Sequence, residues 1–229
     1  MRPQALMLFA AGKGTRMGAL TANRPKPLVE VGGRPLIGHA LSLAEPLRPL
    51  RLVANVHCRA DLLRPWLARH DIAVSDETDR LLETGGGLRK AVPLLGPGPV
   101  FTLNTDAVWD GPNPLAALAA AWDPARMDAL LLLLPRGNAI GHAGRGDFLV
   151  DPAGRLTRGP GAVYSGAQII DPAVLAPIPD EAFSMNRAWD LSAARGRLFG
   201  LVHHGRWCDV GRPESLPLAE ALVRAAHVS

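Results

Sequence analysis

Two cysteines, Cys58 and Cys208, are all that 229 residues contain, far apart and in no metal-like spacing. Neither a disulfide framework nor a structural zinc site therefore organises the fold, and a reducing cytoplasm is the expected compartment. No block of Lys and Arg interleaved with aromatics occurs, although the net charge is +4. Nucleic acid is thus not an expected partner; scattered cations suit a small anionic ligand. The apolar run at 129–134 ends at Pro135, far short of the ~20 residues that cross a bilayer, so no membrane is expected either. The opening MRPQALMLFAA has the basic start and apolar run of a signal peptide. That run is at the short limit for such a segment and leads straight into a glycine loop, so it is read as a first strand. Internal repeats, low-complexity tracts and long linkers are also lacking.

What is present is a chain with 48% apolar and 20% charged residues, enough to bury a large core in one domain. Apolar runs at Ala5–Phe9, Leu52–Asn55, Val100–Leu103 and Ala129–Leu134 alternate with helical patterns around Leu36–Ala44, Asp61–Ala68, Leu88–Leu95 and Pro114–Trp122. This alternation predicts an α/β, Rossmann-like fold, a mostly parallel sheet with helices on both faces. Ligands of such sheets bind outside the carboxyl ends of the strands. That rim would carry Ala10–Met17, Asn104–Asp106 and the segment after Leu134. From about residue 136 Gly, Pro and short extended pieces dominate, closing with a helical pattern over Pro213–Ala226.

The first strand runs into "LFAAGKGTRM", where Gly12 and Gly14 let backbone approach an anion with no Cβ in the way. It is not a P-loop, because no GK[ST] closes it. A dinucleotide fingerprint would need glycine where Met17 stands. Alone, the loop reads equally well as a plain turn. Further on, "NRPKPLVEVGGRPLI" sets Lys26 between two prolines, which would hold the chain extended and reduce the entropy lost on positioning an ammonium. An ordinary surface lysine is the other reading.

Taken together, these two stretches resemble the signature of the sugar-1-phosphate nucleotidyltransferases. The resemblance runs along nearly the whole chain through "ETGGGLRKAVPLL", "FTLNTDAVW", "GHAGRGDF", "VYSGAQII" and "GRWCDVGRPESL". It implies one nucleotidyltransferase domain over 1–229, with a nucleotide-binding core at 1–135 and a sugar-side and metal-binding portion at 136–229. It also implies the site. Ala10, Ala11, Gly12, Lys13, Gly14, Thr15 and Arg16 would hold the nucleoside triphosphate, with Glu83, Thr84, Gly85 and Gly86 beside base and ribose. Arg16 and Lys13 would face the β- and γ-phosphates and Lys26 the reacting phosphates. Asp106 and Asp209 would hold Mg²⁺, and Asn104, Trp109, Gly146, Asp147, Ser165 and Gly166 would form the sugar edge.

The order of these pieces is most similar to the short branch acting on UTP and N-acetylmuramate 1-phosphate; guanylyl transfer to mannose 1-phosphate, another NDP-sugar synthesis and a silent regulatory subunit are the alternatives. Thr105, where the family commonly has Gly, and Ala167-Gln168 depart from its pattern near the ligand. The expected partners are the two small substrates, and the expected state is a monomer or small homo-oligomer.

The chemistry stands without the name. An anionic oxygen must attack an anionic phosphorus, so charge must be neutralised and the reacting oxygens aligned. Two aspartates suit Mg²⁺, a hard ion that also takes phosphate oxygens. A sugar 1-phosphate is already ionised near neutral pH, so neither a general base nor a covalent intermediate is required. His203 and His204 cannot face one way in a strand and are not expected to bind metal. Cys208 is expected to pack, Trp66, Trp122 and Trp189 to lie in the core, and Trp109 to join either the core or the sugar pocket.

Overall fold

The computed structural model describes residues 1–226. Its centre is a seven-stranded sheet built from β1 (Ala5–Phe9), β2 (Arg51–Val56), β3 (Ala73–Asp76), β4 (Val100–Asn104), β5 (Ala129–Leu134), β6 (Val163–Ile170) and β7 (Leu198–Val202), in the order β7-β5-β6-β4-β1-β2-β3. β1 pairs in parallel with both β2 and β4, β2 with β3, and β7 with β5. β6 alone runs antiparallel to its neighbours β4 and β5. The chain after residue 136 therefore completes the same sheet with β6 and β7. It does not form a lobe apart.

Residues of β1 alternate between the two faces, as the two-residue strand period requires. Leu6 and Leu8 join one buried cluster with Ile37, Ala40, Leu63, Leu67, Leu115 and Leu118. These come from α1 (Leu36–Ala44), α2 (Ala60–Ala68) and α4 (Pro114–Ala121). Ala5 and Met7 face the other cluster with Leu88, Ala91 and Leu95 of α3 (Glu83–Leu95) and Ala188 and Trp189 of α5 (Asn186–Ala194). A sheet covered on both faces explains why β5 reads as the uninterrupted run ALLLLL, buried at every position.

A small three-stranded sheet stands at the carboxyl rim, with Arg206–Asp209 between Ala107–Asp110, antiparallel, and Ala139–Ile140, parallel. The last helix, α6 (Ser215–Ala226), buries Ala219, Leu222 and Val223 against Val108, Cys208 and Val210 of this layer.

Gln168, one of the two departures noted in the sequence, is fully buried in β6. Its amide donates to Thr102 Oγ1 at 3.1 Å and accepts from Trp189 Nε1 at 2.8 Å. Tyr164 packs edge-on against the same tryptophan, with ring centroids 4.8 Å apart, and burial pushes its phenol far up. The role of Gln168 is thus to satisfy polar groups inside the core. Gln168→Leu, which strands the Trp189 N–H, is expected to lower unfolding free energy by about 1–3 kcal/mol, read from urea denaturation. A loss of substrate selectivity with unchanged stability would reverse this assignment.

Candidate active site

The carboxyl ends of β1, β2 and β4 open onto a cavity of about 230 Å³. It is lined by Phe9, Ala10, Ala11 and Gly12 on one side, Leu81, Glu83 and Thr84 on another, and Lys26, Asn104, Thr105 and Asp106 along the rim, with Asn55 between the walls. A second hollow of about 240 Å³ is lined by Arg16, His142, Asp209 and Arg212, together with Gly141 and Gly144. Asp106 belongs to the first and Asp209 to the second. The Val210 N–H donates to the Asp106 carbonyl at 2.8 Å, and Asp209 pairs with Ala107. Segments a hundred residues apart in sequence thus place their carboxylates at one junction.

The charge at this junction is coupled. Lys26 Nζ lies 2.7 Å from Asp106 Oδ2, with the two side chains 11% and 30% exposed. The pair is shielded enough to act more strongly than a surface ion pair. Burial pushes the Asp209 carboxyl up, and the Asp106 charge adds to this; Lys26, Arg16 and His142 pull it back down. Two carboxylates competing for the same cations form a site that gains from a further positive charge.

Lys26 departs from expectation in one respect. The prolines do not keep it extended. Pro25 is extended, with φ −68° and ψ 149°, but Lys26 opens a 3₁₀ turn over Lys26–Leu28. Pro27 suits the second position of that turn through its fixed φ, and Val29 N–H closes the turn on the Lys26 carbonyl at 3.0 Å. Pre-organisation comes from the turn and from burial of both prolines.

Across the loop, Gly14 has φ +64°, and a Cβ there would stand 3.1 Å from Lys26 Cβ and 3.2 Å from Thr21 Cγ2. Its glycine requirement comes from this left-handed backbone and from contact with the lysine turn and Thr21. Around Gly12 no atom lies within 4 Å of a Cβ position, so that glycine faces open space. Lys13, Thr15 and Arg16 are exposed, while Met17 anchors the loop in the interior.

The remaining candidates divide. Glu83 and Thr84 line the cavity, Glu83 with a left-handed φ of 60°, which a non-glycine residue adopts only at a cost. Gly85 and Gly86 do not line it. Both donate their N–H to the Phe183 carbonyl, and a Cβ on either would collide with Phe183 or the Glu181 carbonyl. The "TGGG" glycines serve close packing in the first turns of α3, a helix that the sequence pattern marked only from Leu88.

Asn104 lines the cavity and sits over Gly166, where φ +82° and an irregular register in β6 leave room for it. Ser165 is buried, its hydroxyl donating to the Leu132 carbonyl. Asp147 accepts from Tyr164 N–H at 2.8 Å, and Gly146 packs on the Gly161 carbonyl, docking the 141–147 loop onto β6. Trp109 turns away from the cavity into a cluster with Trp207 and His203. Thr105 is buried and donates to the Phe9 carbonyl at 2.8 Å, joining β4 to β1 below the loop.

Sequence reasoning did not single out Asn55, Glu77, His142 or Arg212. Their only signals were a polar residue ending an apolar strand, an acid within "SDETD", and polar residues inside stretches quoted for other reasons.

Residues 6–143 match the family model of the MobA-like NTP transferase domain. The chain belongs to this nucleotidyltransferase family. It is 40% identical to the N-acetylmuramate alpha-1-phosphate uridylyltransferase of Caulobacter vibrioides, over 98% of each chain. It is 32% identical to the enzyme of that name from Neisseria meningitidis serogroup B, over 96% of this chain and 98% of the relative. The solved structure of the inositol-1-phosphate CTP transferase from T. maritima shares the fold, with a TM-score of 0.78 at 16% identity over 98% and 96% of the two chains.

For this nucleotidyltransferase, Gly14→Val forces a β-branched residue into a left-handed conformation against the lysine turn. It is expected to raise the KM for the nucleoside triphosphate roughly tenfold or more. Unchanged nucleotide affinity by calorimetry, in a folded variant, would reduce the loop to a plain turn.

Proposed function

We propose that the chain transfers the uridylyl group of UTP to N-acetylmuramate 1-phosphate, forming the UDP-sugar and releasing pyrophosphate. The observation that carries this reading is the junction itself: Asp106 and Asp209 beside Lys26 and Arg16, at the mouth of a preformed cleft on the carboxyl rim. The near full-length likeness to the two uridylyltransferases supports the choice of substrates.

Base and ribose enter between the Ala10–Gly12 wall and the Glu83–Thr84 wall. Lys13 and Arg16 face the β- and γ-phosphates, with Arg212 and His142 beside Arg16 in the second hollow. Asn104 lies at the sugar side with Gly166, and the 141–147 loop borders it. The sugar-phosphate oxygen attacks the α-phosphorus in line as the bond to the bridging oxygen of the β-phosphate breaks, and pyrophosphate carries away the electron pair. Lys26 offsets charge on the reacting phosphates, which frees it from Asp106.

The donor set fits a divalent cation such as Mg²⁺. Two close carboxylates of oxygen type supply part of a coordination sphere, and the described residues include no cluster of three ligating side chains that would complete it. Substrate phosphates and water would complete it, as Mg²⁺ prefers. When bound, the ion neutralises phosphate charge. No helix among the described residues is long and apolar enough to cross a membrane, and a cytoplasmic site of action accords with small phosphorylated substrates.

Pyrophosphate release across UTP, GTP, CTP and ATP, each with N-acetylmuramate, N-acetylglucosamine and mannose 1-phosphates, is expected to peak at the first of each set. A preference for GTP with mannose 1-phosphate would replace this reading, and release with no pair would end it. Asp106→Asn and Asp209→Asn are expected to fold and to lose at least about a hundredfold in kcat; near wild-type turnover of both at saturating Mg²⁺ would remove the metal assignment. Lys26→Met, which also leaves Asp106 uncompensated, is expected to lose about a hundredfold in kcat, with partial recovery in Lys26→Arg. Retention of half the wild-type kcat/KM would place Lys26 outside the reaction.

A further inference from the structure

The two walls of the nucleotide cleft are tied together by a buried chain of hydrogen bonds that no reacting group enters. Asn55 Oδ1 accepts from the Ala10 N–H at 2.7 Å and the Ala11 N–H at 3.3 Å. Its Nδ2 donates to Glu77 Oε1 at 2.7 Å, and Glu77 Oε2 accepts from the Leu82 N–H at 3.0 Å. Glu77 is completely buried and Asn55 is 3% exposed. The chain thus runs from the glycine-loop backbone through two side chains to the residue preceding Glu83, whose left-handed backbone needs its neighbours fixed. Helix α3 approaches the pair at Gly87, where a Cβ would stand 2.6 Å from Glu77 Oε1 and 3.0 Å from Asn55 Nδ2.

We infer that Asn55 and Glu77 are positioning residues that set the separation of the loop wall and the Glu83–Thr84 wall, and thereby the affinity for the nucleoside triphosphate. This rests on the nucleotidyl-transfer reading above. Both oxygens of Glu77 and the Oδ1 of Asn55 are spent inside the network, so neither residue offers them to substrate. A fully bonded buried network is rigid, and one lost partner leaves an unsatisfied group. The walls it spaces lie on the base side of the cleft, away from the Lys26–Asp106 junction. Contacts there are made equally in ground and transition states, so disturbing them raises KM and spares kcat.

The donor pattern allows a test by reversal. Asn55→Asp sets two carboxylates against each other, and Glu77→Gln leaves one donor facing another. The double variant restores every bond with the same net charge: Asp at 55 accepts from the loop and from the Gln amide, whose oxygen accepts from Leu82. In steady-state assays with UTP and N-acetylmuramate 1-phosphate, each single change is expected to raise the KM for UTP about tenfold with kcat within about threefold, and the double to return KM to within about threefold of wild type. Gly87→Ala removes no bonding group but wedges against the pair, and is expected to raise KM in the same way; it serves should a single variant not fold.

Thermal midpoints separate affinity from simple stability. Variants with lowered midpoints and unmoved KM, a double variant no better than the worse single one, or a folded Gly87→Ala protein with wild-type KM would each overturn the inference. Wild-type turnover alongside those results leaves the nucleotidyl-transfer reading standing. No wild-type turnover with any substrate pair removes both.

Discussion

The ion pair between Lys26 and Asp106 is the interaction on which the site depends. Strand pairing forces Asp106 and Asp209 together, since Asp209 is hydrogen-bonded in register with Ala107 and cannot retreat. Burial, with the Asp106 charge added to it, pushes the Asp209 carboxyl up. Lys26 at 2.7 Å from one, with Arg16 and His142 acting on the other, holds the pair in check. These are also the cations proposed to meet phosphates. Under the proposed function the lysine would exchange its carboxylate for substrate phosphate, leaving Asp106 and Asp209 to hold the divalent ion. Such an exchange keeps the site near charge balance at each stage, which a site of unopposed aspartates would not.

The cavity lined by Ala10–Gly12 and Glu83–Thr84 works by a different economy, through backbone. Ala10 and Ala11 spend their N–H groups on Asn55, and Gly85 and Gly86 spend theirs on the Phe183 carbonyl. The walls are thus made rigid before any ligand enters, which lowers the ordering cost of binding. Glu83 concentrates the strain of this arrangement in one left-handed residue. Leu82 is held on one side of it and Gly85 on the other, so its conformation is over-determined.

Legibility in the sequence follows from how local each cause is. β1, β2, β4 and β5 show as apolar runs because a covered parallel sheet needs them, as β5 displays, whereas the edge strand β3, AVSD, buries only Ser75 and shows no such run. β6 shows no such run: its glycine, glutamine and serine break the apolar pattern, and each is explained only by a partner elsewhere, Asn104, Trp189 and Leu132. Asp106 and Lys26 stood out by motif, but their 2.7 Å contact spans eighty residues and leaves no local trace. Glu77 shows only as one acid within "SDETD", and a buried glutamate there looks like part of a solvated loop until Asn55 is set beside it. The glycines of "TGGG" mislead for the same reason. Their call for closeness is visible, but whether ligand or protein comes close is a tertiary fact.

One apolar cluster explains how charges from four distant segments come to share a point. Met17, Val29, Val108, Cys208 and Val210 are all buried in it, beneath α6. Met17 follows Arg16, Val29 closes the turn that Lys26 opens, Val108 lies two residues beyond Asp106, and Cys208 and Val210 flank Asp209. Strand alternation then sends Asp209 to the face opposite its two buried neighbours. Each charged group is the outward tip of a segment pinned in common one to three residues away. Cys208 meets this need as an apolar filler: burial and the neighbouring Asp209 push its thiol up to about 11, leaving it neutral and unreactive at physiological pH. Because the pins are shared, loosening any one segment displaces its charge relative to the other three. The charge balance at the junction is therefore set by hydrophobic packing on its far side.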